Sequence, residues 1–312
     1  MSATDAEPLY VVFTMDCVPP DGPAAVPGPR NWQKAERAMA RFAEGLAGES
    51  LKGTFFIAPE ALGRLRKTAS ELRAAEMELG LLCHPQLVNY QSYLGSYSYD
   101  RQQEIIRLGK AVWQDKLGEE GVCFRPGFFS ANDYTFQILC MEGFSQGSCS
   151  LPGRVDPEQF SLWRESYPFA HHADPLNRKL KGTMEFYEVP ATSDFEAQEA
   201  DPDAETFTPP HLRIENPDVT EEARSIINKQ LNRMLGQKAD VKSIVFVTHN
   251  SVGWGQKEDP HLERLHNLAS LLRSVADRRK MRLVPATLAM LHEQADRLWR
   301  EARGLPRQED TA

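Results

Sequence analysis

Four side chains capable of acid–base or ligand chemistry stand at the ends of apolar runs. Asp16 closes the run LYVVFTMDC, His84 closes ELGLLCH, Arg125 lies in VCFRPG, and His249 lies in SIVFVTHN. A carboxylate can take a proton, an imidazole can give one or bind a metal, and a guanidinium can hold a carboxylate. A lone strand-end histidine is more often a hydrogen-bonded structural residue than a ligand. Four such groups in this order are harder to explain as structure alone. In a parallel barrel, functional side chains gather at the C-terminal ends of strands.

The elements that must position them follow from the pattern of the chain. Short apolar runs alternate with amphipathic stretches, as in βα units around a parallel sheet. Runs at 9–17, 53–59, 78–84, 122–127, 145–150, 186–190, 243–250 and 281–287 read as strands. The third is apolar on both faces, as a buried parallel strand should be. Asn31 is placed to cap a helix carrying Ala35, Ala38, Met39, Phe42 and Leu46. Further helices are expected at 59–77, 100–117, 134–141, 220–235 and 262–276, with a terminal helix after 287. Apart from FYEVP, the stretch 151–218 reads as proline-rich loop, and its acidic run SDFEAQEADPDAE reads as solvated surface. There are no internal repeats. One domain over 1–312 is the simplest expectation, with 1–8 and 305–312 flexible.

Composition narrows the partners. The 312 residues are 41% hydrophobic and 26% charged, with a net charge of -8, which suits a globular chain and argues against a nucleic-acid partner. The apolar run 9–15 is too short to span a bilayer, and the first twenty residues lack a basic region and a cleavage site. Five cysteines without a CxxC pair read as reduced, packed thiols of a cytoplasmic protein.

TMDCV, ELGLLCHPQ, FRPGFFSAND and THN resemble, in order and over most of the chain, the motifs of the polysaccharide deacetylase family. This is the NodB-homology domain, of the carbohydrate esterase family 4 type. GFSQGSCSLPGR and HHAD resemble features of a branch with D-x-E and H-x-H-P motifs. The resemblance implies an α/β fold, a distorted parallel (β/α) barrel of about seven strands. It also implies a hydrolase acting on the N-acyl C–N bond of a sugar or related substrate. In that family's mechanism Asp16 would be the general base, His249 the general acid, and Arg125 the partner that tunes Asp16. His84 and Asp16 would hold a zinc-like divalent cation. The implied partner is a carbohydrate or another small N-acylated molecule, and homo-oligomerisation is left open.

The chain departs from that branch at two ligand positions, Val18 and Leu82. Side chains two apart on a strand share a face, so Val18 accompanies Asp16, Leu82 accompanies His84, and Cys17 and Cys83 point away. The commoner pattern, D-D with H-x-x-x-H, fares no better, because it puts Cys17 and Val88 at ligand positions. Loss of two donors makes a site without the cation, and so without any cofactor, one expectation; a site rebuilt from Asp21, His171, His172 or Asp174 is the other. Alternatives to the deacetylase reading are a catalytically silent relative that binds a glycan or protein, and a hydrolase of small cyclic amides. Expected substrate contacts are Phe128, Asn132, His171, His172, Asp174 and Trp254. Glu188 could hold a substrate hydroxyl, and Tyr90, Tyr93, Tyr97 and Tyr99 could form a sugar-stacking lip.

Overall fold

The structure is a computed structural model that describes residues 6–200, 204–216, 219–255 and 259–303. The tail expected to be flexible, 305–312, lies outside the described residues, as do the first five residues. Its centre is a mostly parallel, strongly curled sheet. The strands are β1 (Pro8–Cys17), β2 (Gly53–Ile57), β3 (Glu78–Cys83), β4 (Cys123–Pro126), β5 (Gln146–Gly147), β8 (His171–His172), β9 (Tyr187–Glu188), β10 (Ser243–His249) and β11 (Arg282–Pro285). They run in the order β10-β1-β2-β3-β4-β5-β9-β8, with β11 also paired to β1. β11 lies beside the first half of β1 and β2 beside the second half, on the edge away from β10. A separate hairpin joins β6 (Val155–Asp156) to β7 (Ser161–Leu162).

All eight apolar runs read as strands are present. β8 was not anticipated: it is two residues long and pairs antiparallel to β9 at the edge of the sheet. The seam between β9 and β10 is bridged by the proline-rich stretch. Val245 N–H donates to Thr192 Oγ1 at 2.9 Å, and Val247 N–H donates to the Leu212 carbonyl at 2.9 Å.

Alternation along each strand divides the core in two. Val11, Phe13, Met15 and Cys17 of β1 face outward with Phe55, Leu81, Cys83 and Phe124, against α1 (Trp32–Gly48), α2 (Leu62–Ala74), α3 (Tyr99–Leu117), α4 (Thr135–Met141), α5 (Val219–Gly236) and α6 (His261–Arg279). Tyr10, Val12 and Val18 face inward with Phe56, Leu82, Cys123 and Val245. Asn31 caps α1 by accepting from the Lys34 N–H at 2.9 Å. The last helix, α7 (Leu288–Glu301), brings Leu288, Leu291 and Ala295 into the inner cluster. Its first N–H donates to Glu78 Oε2 at 2.8 Å, so α7 begins at the N-terminal start of β3. The acidic Glu78 suits that helix N-terminus electrostatically. Among the described residues no helix is long and apolar enough to cross a membrane.

Candidate active site

Thr14, Asp16 and Val18 project inward from β1, and parallel pairing sets Asp16 beside His249 on one flank and Phe56 on the other. Arg125 comes from β4 with 0% exposure. Its Nη1 donates to Asp16 Oδ1 at 2.8 Å and to Thr14 Oγ1 at 2.9 Å. Nη2 donates to Ser148 Oγ at 2.8 Å, and Nε donates to the Ser148 carbonyl at 3.1 Å. The guanidinium also lies 4.2 Å from the centre of the Phe56 ring. Thr14 in turn donates to the Phe246 carbonyl at 2.9 Å, which ties the network to β10. A buried cation held this way needs its carboxylate, and the planar fork dictates where Asp16 stands.

His84 follows β3 and is buried. Its ring lies on Gly127, where a Cβ would come within 2.2 Å of Nδ1, so only glycine fits. Nδ1 has no hydrogen-bond partner. The next two residues, Phe128 (φ 60°) and Phe129 (φ 56°), both adopt left-handed backbone, a costly arrangement for aromatic residues. This turn sets the Phe128 ring edge-on to His84 at 5.2 Å and to Tyr93 at 5.3 Å. Burial pushes His84 down to about 4, against an upward pull from Asp16 and with a further push down from His249. Desolvation also lowers His249, again opposed by Asp16. The Ser251 N–H donates to His249 Nδ1 at 3.1 Å, which leaves the proton of a neutral ring on Nε2. Asn250 clamps the end of β1, donating to the Val18 carbonyl at 3.0 Å and accepting from its N–H at 3.2 Å.

Sequence reasoning missed the contribution of the irregular stretch. Arg213 and Glu215 pair at 2.9 Å, and both act electrostatically on His249. Arg154 donates to the Phe128 carbonyl at 3.2 Å and pairs with Asp156 at 3.2 Å. Glu188 is not free for a hydroxyl. It is buried and accepts from the Cys149 N–H at 3.0 Å, the Ser150 N–H at 2.9 Å and Ser150 Oγ at 2.7 Å. It thereby fixes the segment just beyond Ser148, the residue that holds Arg125.

Three solved structures share this architecture. A Mycobacterium smegmatis protein assigned as a polysaccharide deacetylase superposes with a TM-score of 0.57 at 14% identity, over 98% of this chain and 94% of its own. A Parabacteroides distasonis protein assigned as a glycoside hydrolase/deacetylase gives 0.66 at 11% identity, over 96% and 73%. The chain has the NodB-homology deacetylase fold. PuuE allantoinase shares the fold as well, with a TM-score of 0.57, 10% identity, and coverage of 96% and 92%. No family model matches the sequence. No curated protein matches it either.

The cation that the resemblance implies does not fit the rim. Val18 and Leu82 are each 0% exposed and join one apolar cluster with Phe56 and Val26, edged by Leu87 and Phe128. Hydrocarbon therefore fills the space where two donors would be needed. Of the remaining pair, Asp16 is already engaged by Arg125. Among the described residues the sole convergent set of three metal-ligand side chains is His172, His292 and Asp296, not the rim.

Several expected substrate contacts are used elsewhere. Trp254 packs among Phe42 and His261 in the outer core, because it follows β10 after the chain has turned toward the helices. Asn132 spends its amide on the Gly95 and Tyr97 carbonyls, both at 3.0 Å. Asp174 caps a turn by accepting from the Leu176 and Asn177 N–H groups. His171 is buried with Nδ1 2.7 Å from the Phe169 carbonyl, and His172 turns toward α7. None of these rebuilds a cation site with Asp16, and Asp21 is exposed. Of the expected aromatic contacts, Phe128 stands edge-on to His84, and Tyr93 stands edge-on to Phe128.

Proposed function

We propose that the chain is a deacetylase-fold hydrolase that cleaves the N-acyl C–N bond of a sugar or related small amide at the rim, without a cation at the fold family's position. The observation that carries this is the Arg125 network. A fully buried guanidinium aims Asp16 at a rim that also holds two neutral histidines. In this reading Asp16 takes a proton from water as the water oxygen bonds to the acyl carbon. His249 Nε2 gives its proton to the departing nitrogen as the C–N bond breaks and takes the water proton back from Asp16 in the same step, so the ring ends neutral as it began. Arg213, whose field already reaches His249, is the cation available to the oxyanion. Phe128 and Tyr93 offer apolar faces to a pyranose. The same reading takes 1–312 as one cytoplasmic domain with a carbohydrate or small-amide partner.

A second reading, a silent relative that binds a glycan, is favoured by Val18 and Leu82. The neighbour named as an allantoinase keeps a small cyclic amide among the substrates to test. The deciding experiment incubates the purified chain with N-acetylated oligosaccharides and with cyclic amides, and measures acid or amine release with and without chelator. Slow release that ignores chelator and disappears in Asp16→Asn and His249→Ala is the expected result. Oligosaccharide binding with no release from any substrate would select the silent relative.

A further inference from the structure

At the other end of the sheet, three side chains converge that the rim chemistry does not use. His172 lies on β8, and His292 and Asp296 lie four residues apart on α7. His172 Nε2 is 3.7 Å from Asp296 Oδ1, and His292 Nε2 is 3.7 Å from Asp296 Oδ2. These separations are too long for hydrogen bonds. They are close to the roughly 3.4 Å between donors that each stand about 2.1 Å from a tetrahedral ion.

The outer nitrogens are already fixed. His172 Nδ1 is 2.9 Å from the Met184 carbonyl, and His292 Nδ1 is 3.3 Å from Gln146 Oε1. A proton on Nδ1 leaves Nε2 with its lone pair turned toward Asp296, the arrangement found behind metal-bound histidines. His172 Nε2 is buried without a hydrogen-bond partner. Tyr187 holds both rings, stacked on His292 at 5.2 Å and edge-on to His172 at 5.1 Å. The side chains are 21%, 15% and 47% exposed for His172, His292 and Asp296, so Asp296 forms the side open to solvent.

The geometry points to a binding site for a borderline divalent cation of the zinc class, held by His172, His292 and Asp296 with a fourth position open to water. Two imidazoles and one carboxylate suit zinc over magnesium or calcium, which prefer oxygen donors. The site is separate from the rim. Gln146, beside His292, donates to Glu78 Oε1 at 3.1 Å at the start of β3, whereas His84 follows its end. Six residues of strand make that about 20 Å. Occupancy ties the edge strand β8 to the helix beneath the sheet.

The test uses the full chain, stripped with chelator and titrated with Zn²⁺ and Co²⁺. One equivalent of Zn²⁺ should bind and raise the melting temperature, and Co²⁺ should give the visible d–d absorption of a four-coordinate site. His172→Ala and Asp296→Asn should each weaken binding by roughly 100-fold or more, since each removes one of three protein ligands. Gln146→Leu should weaken it by roughly 10- to 100-fold. His292→Phe keeps the stack on Tyr187 while deleting the donor, and should bind no better than His172→Ala. Asp16→Asn with His84→Ala should leave the stoichiometry unchanged. Absence of a bound equivalent, or binding that survives His292→Phe and vanishes with the rim pair, would overturn the assignment. Either result leaves the rim reaction to its own assay.

Discussion

Arg125 and Asp16 are the residues on which the rim depends. Arg125 makes every contact from a fully buried position. Removing one partner of such a pair leaves an uncompensated charge, at a cost of about 3–5 kcal/mol. Arg125→Met should therefore fall in that range by denaturant unfolding, at the lower end because Asp16 keeps 22% of its side chain exposed. A loss below about 0.5 kcal/mol, typical of an isolated surface change, would mean that the pair is not formed. Val18 and Leu82 make the converse case. Val18→Glu with Leu82→His puts polar groups into a dry apolar cluster, so the metal-free double variant should unfold several kcal/mol more easily, on the order of the cost of unpaired buried polar groups. Added Zn²⁺ should raise the melting temperature of the double variant by more than it raises that of the parent chain if the two new donors join Asp16 and His84, and equal rises in the two proteins would refute it. These two positions were legible in the sequence because period two on a strand assigns each residue a face. Trp254 was not, because no period extends past the end of β10. His292 and Asp296 were hidden, since an i,i+4 pair on an amphipathic helix looks like ordinary surface.

Among the elements, the short β5–β9 pair does more than its length suggests. Glu188 on β9 gathers the N–H groups that follow β5 and so sets the position of Ser148 beneath Arg125. Burial raises Glu188 from 4.5 to about 7, overcoming the opposite effect of the Ser150 and Cys149 hydrogen bonds. Between these values the folded chain keeps a proton that the unfolded chain has released. Glu188 thus contributes stability that is full below pH 4.5 and is lost as the pH rises to about 7. The loss amounts to about 1.4 kcal/mol for each unit of displacement. His84 has the opposite slope, since it is held down to about 4 and its neutral form is favoured. The comparison that isolates Glu188 is therefore wild type against Glu188→Gln, with denaturant midpoints measured at pH 5 and pH 7. The wild-type midpoint should drop relative to the variant across that interval, and parallel curves would show that Glu188 does not titrate there. The longer parallel strands were readable because apolar runs ending in polar groups are strong signals. β6, β7 and β8 have two residues each, too few to show any period. The seam that Thr192, Leu212 and Ile214 make with β10 rests on a few hydrogen bonds between loop and strand, which leave no pattern in the sequence.

For the molecule as a whole, the inner apolar cluster forms one continuous filling, from Leu288, Leu291 and Ala295 on α7 to Val18 and Leu82 beneath the rim. The sequence marks the terminal helix as amphipathic, yet its place beneath the sheet depends on Glu78 and Thr54, far away in the chain. The same apolar face could equally have packed outside with the other helices. That placement makes a sharp contrast between two large residues of one helix. Leu291 is 0% exposed inside the sheet, whereas Trp299 is 47% exposed near the helix end. Leu291→Ala removes buried methyl groups and leaves a cavity that strands on several sides cannot easily collapse, so it should cost about 2–5 kcal/mol. Trp299→Ala loses a contact with the Arg303 guanidinium, 4.0 Å from the ring centre, and little else. Its cost should stay within about 1 kcal/mol, the range of an exposed cation–π contact. Denaturant unfolding of the two variants at one pH measures the difference directly. Equal losses would show that α7 does not close the inner cluster, and the separation of rim and floor into two ends of one filled sheet would fail with it.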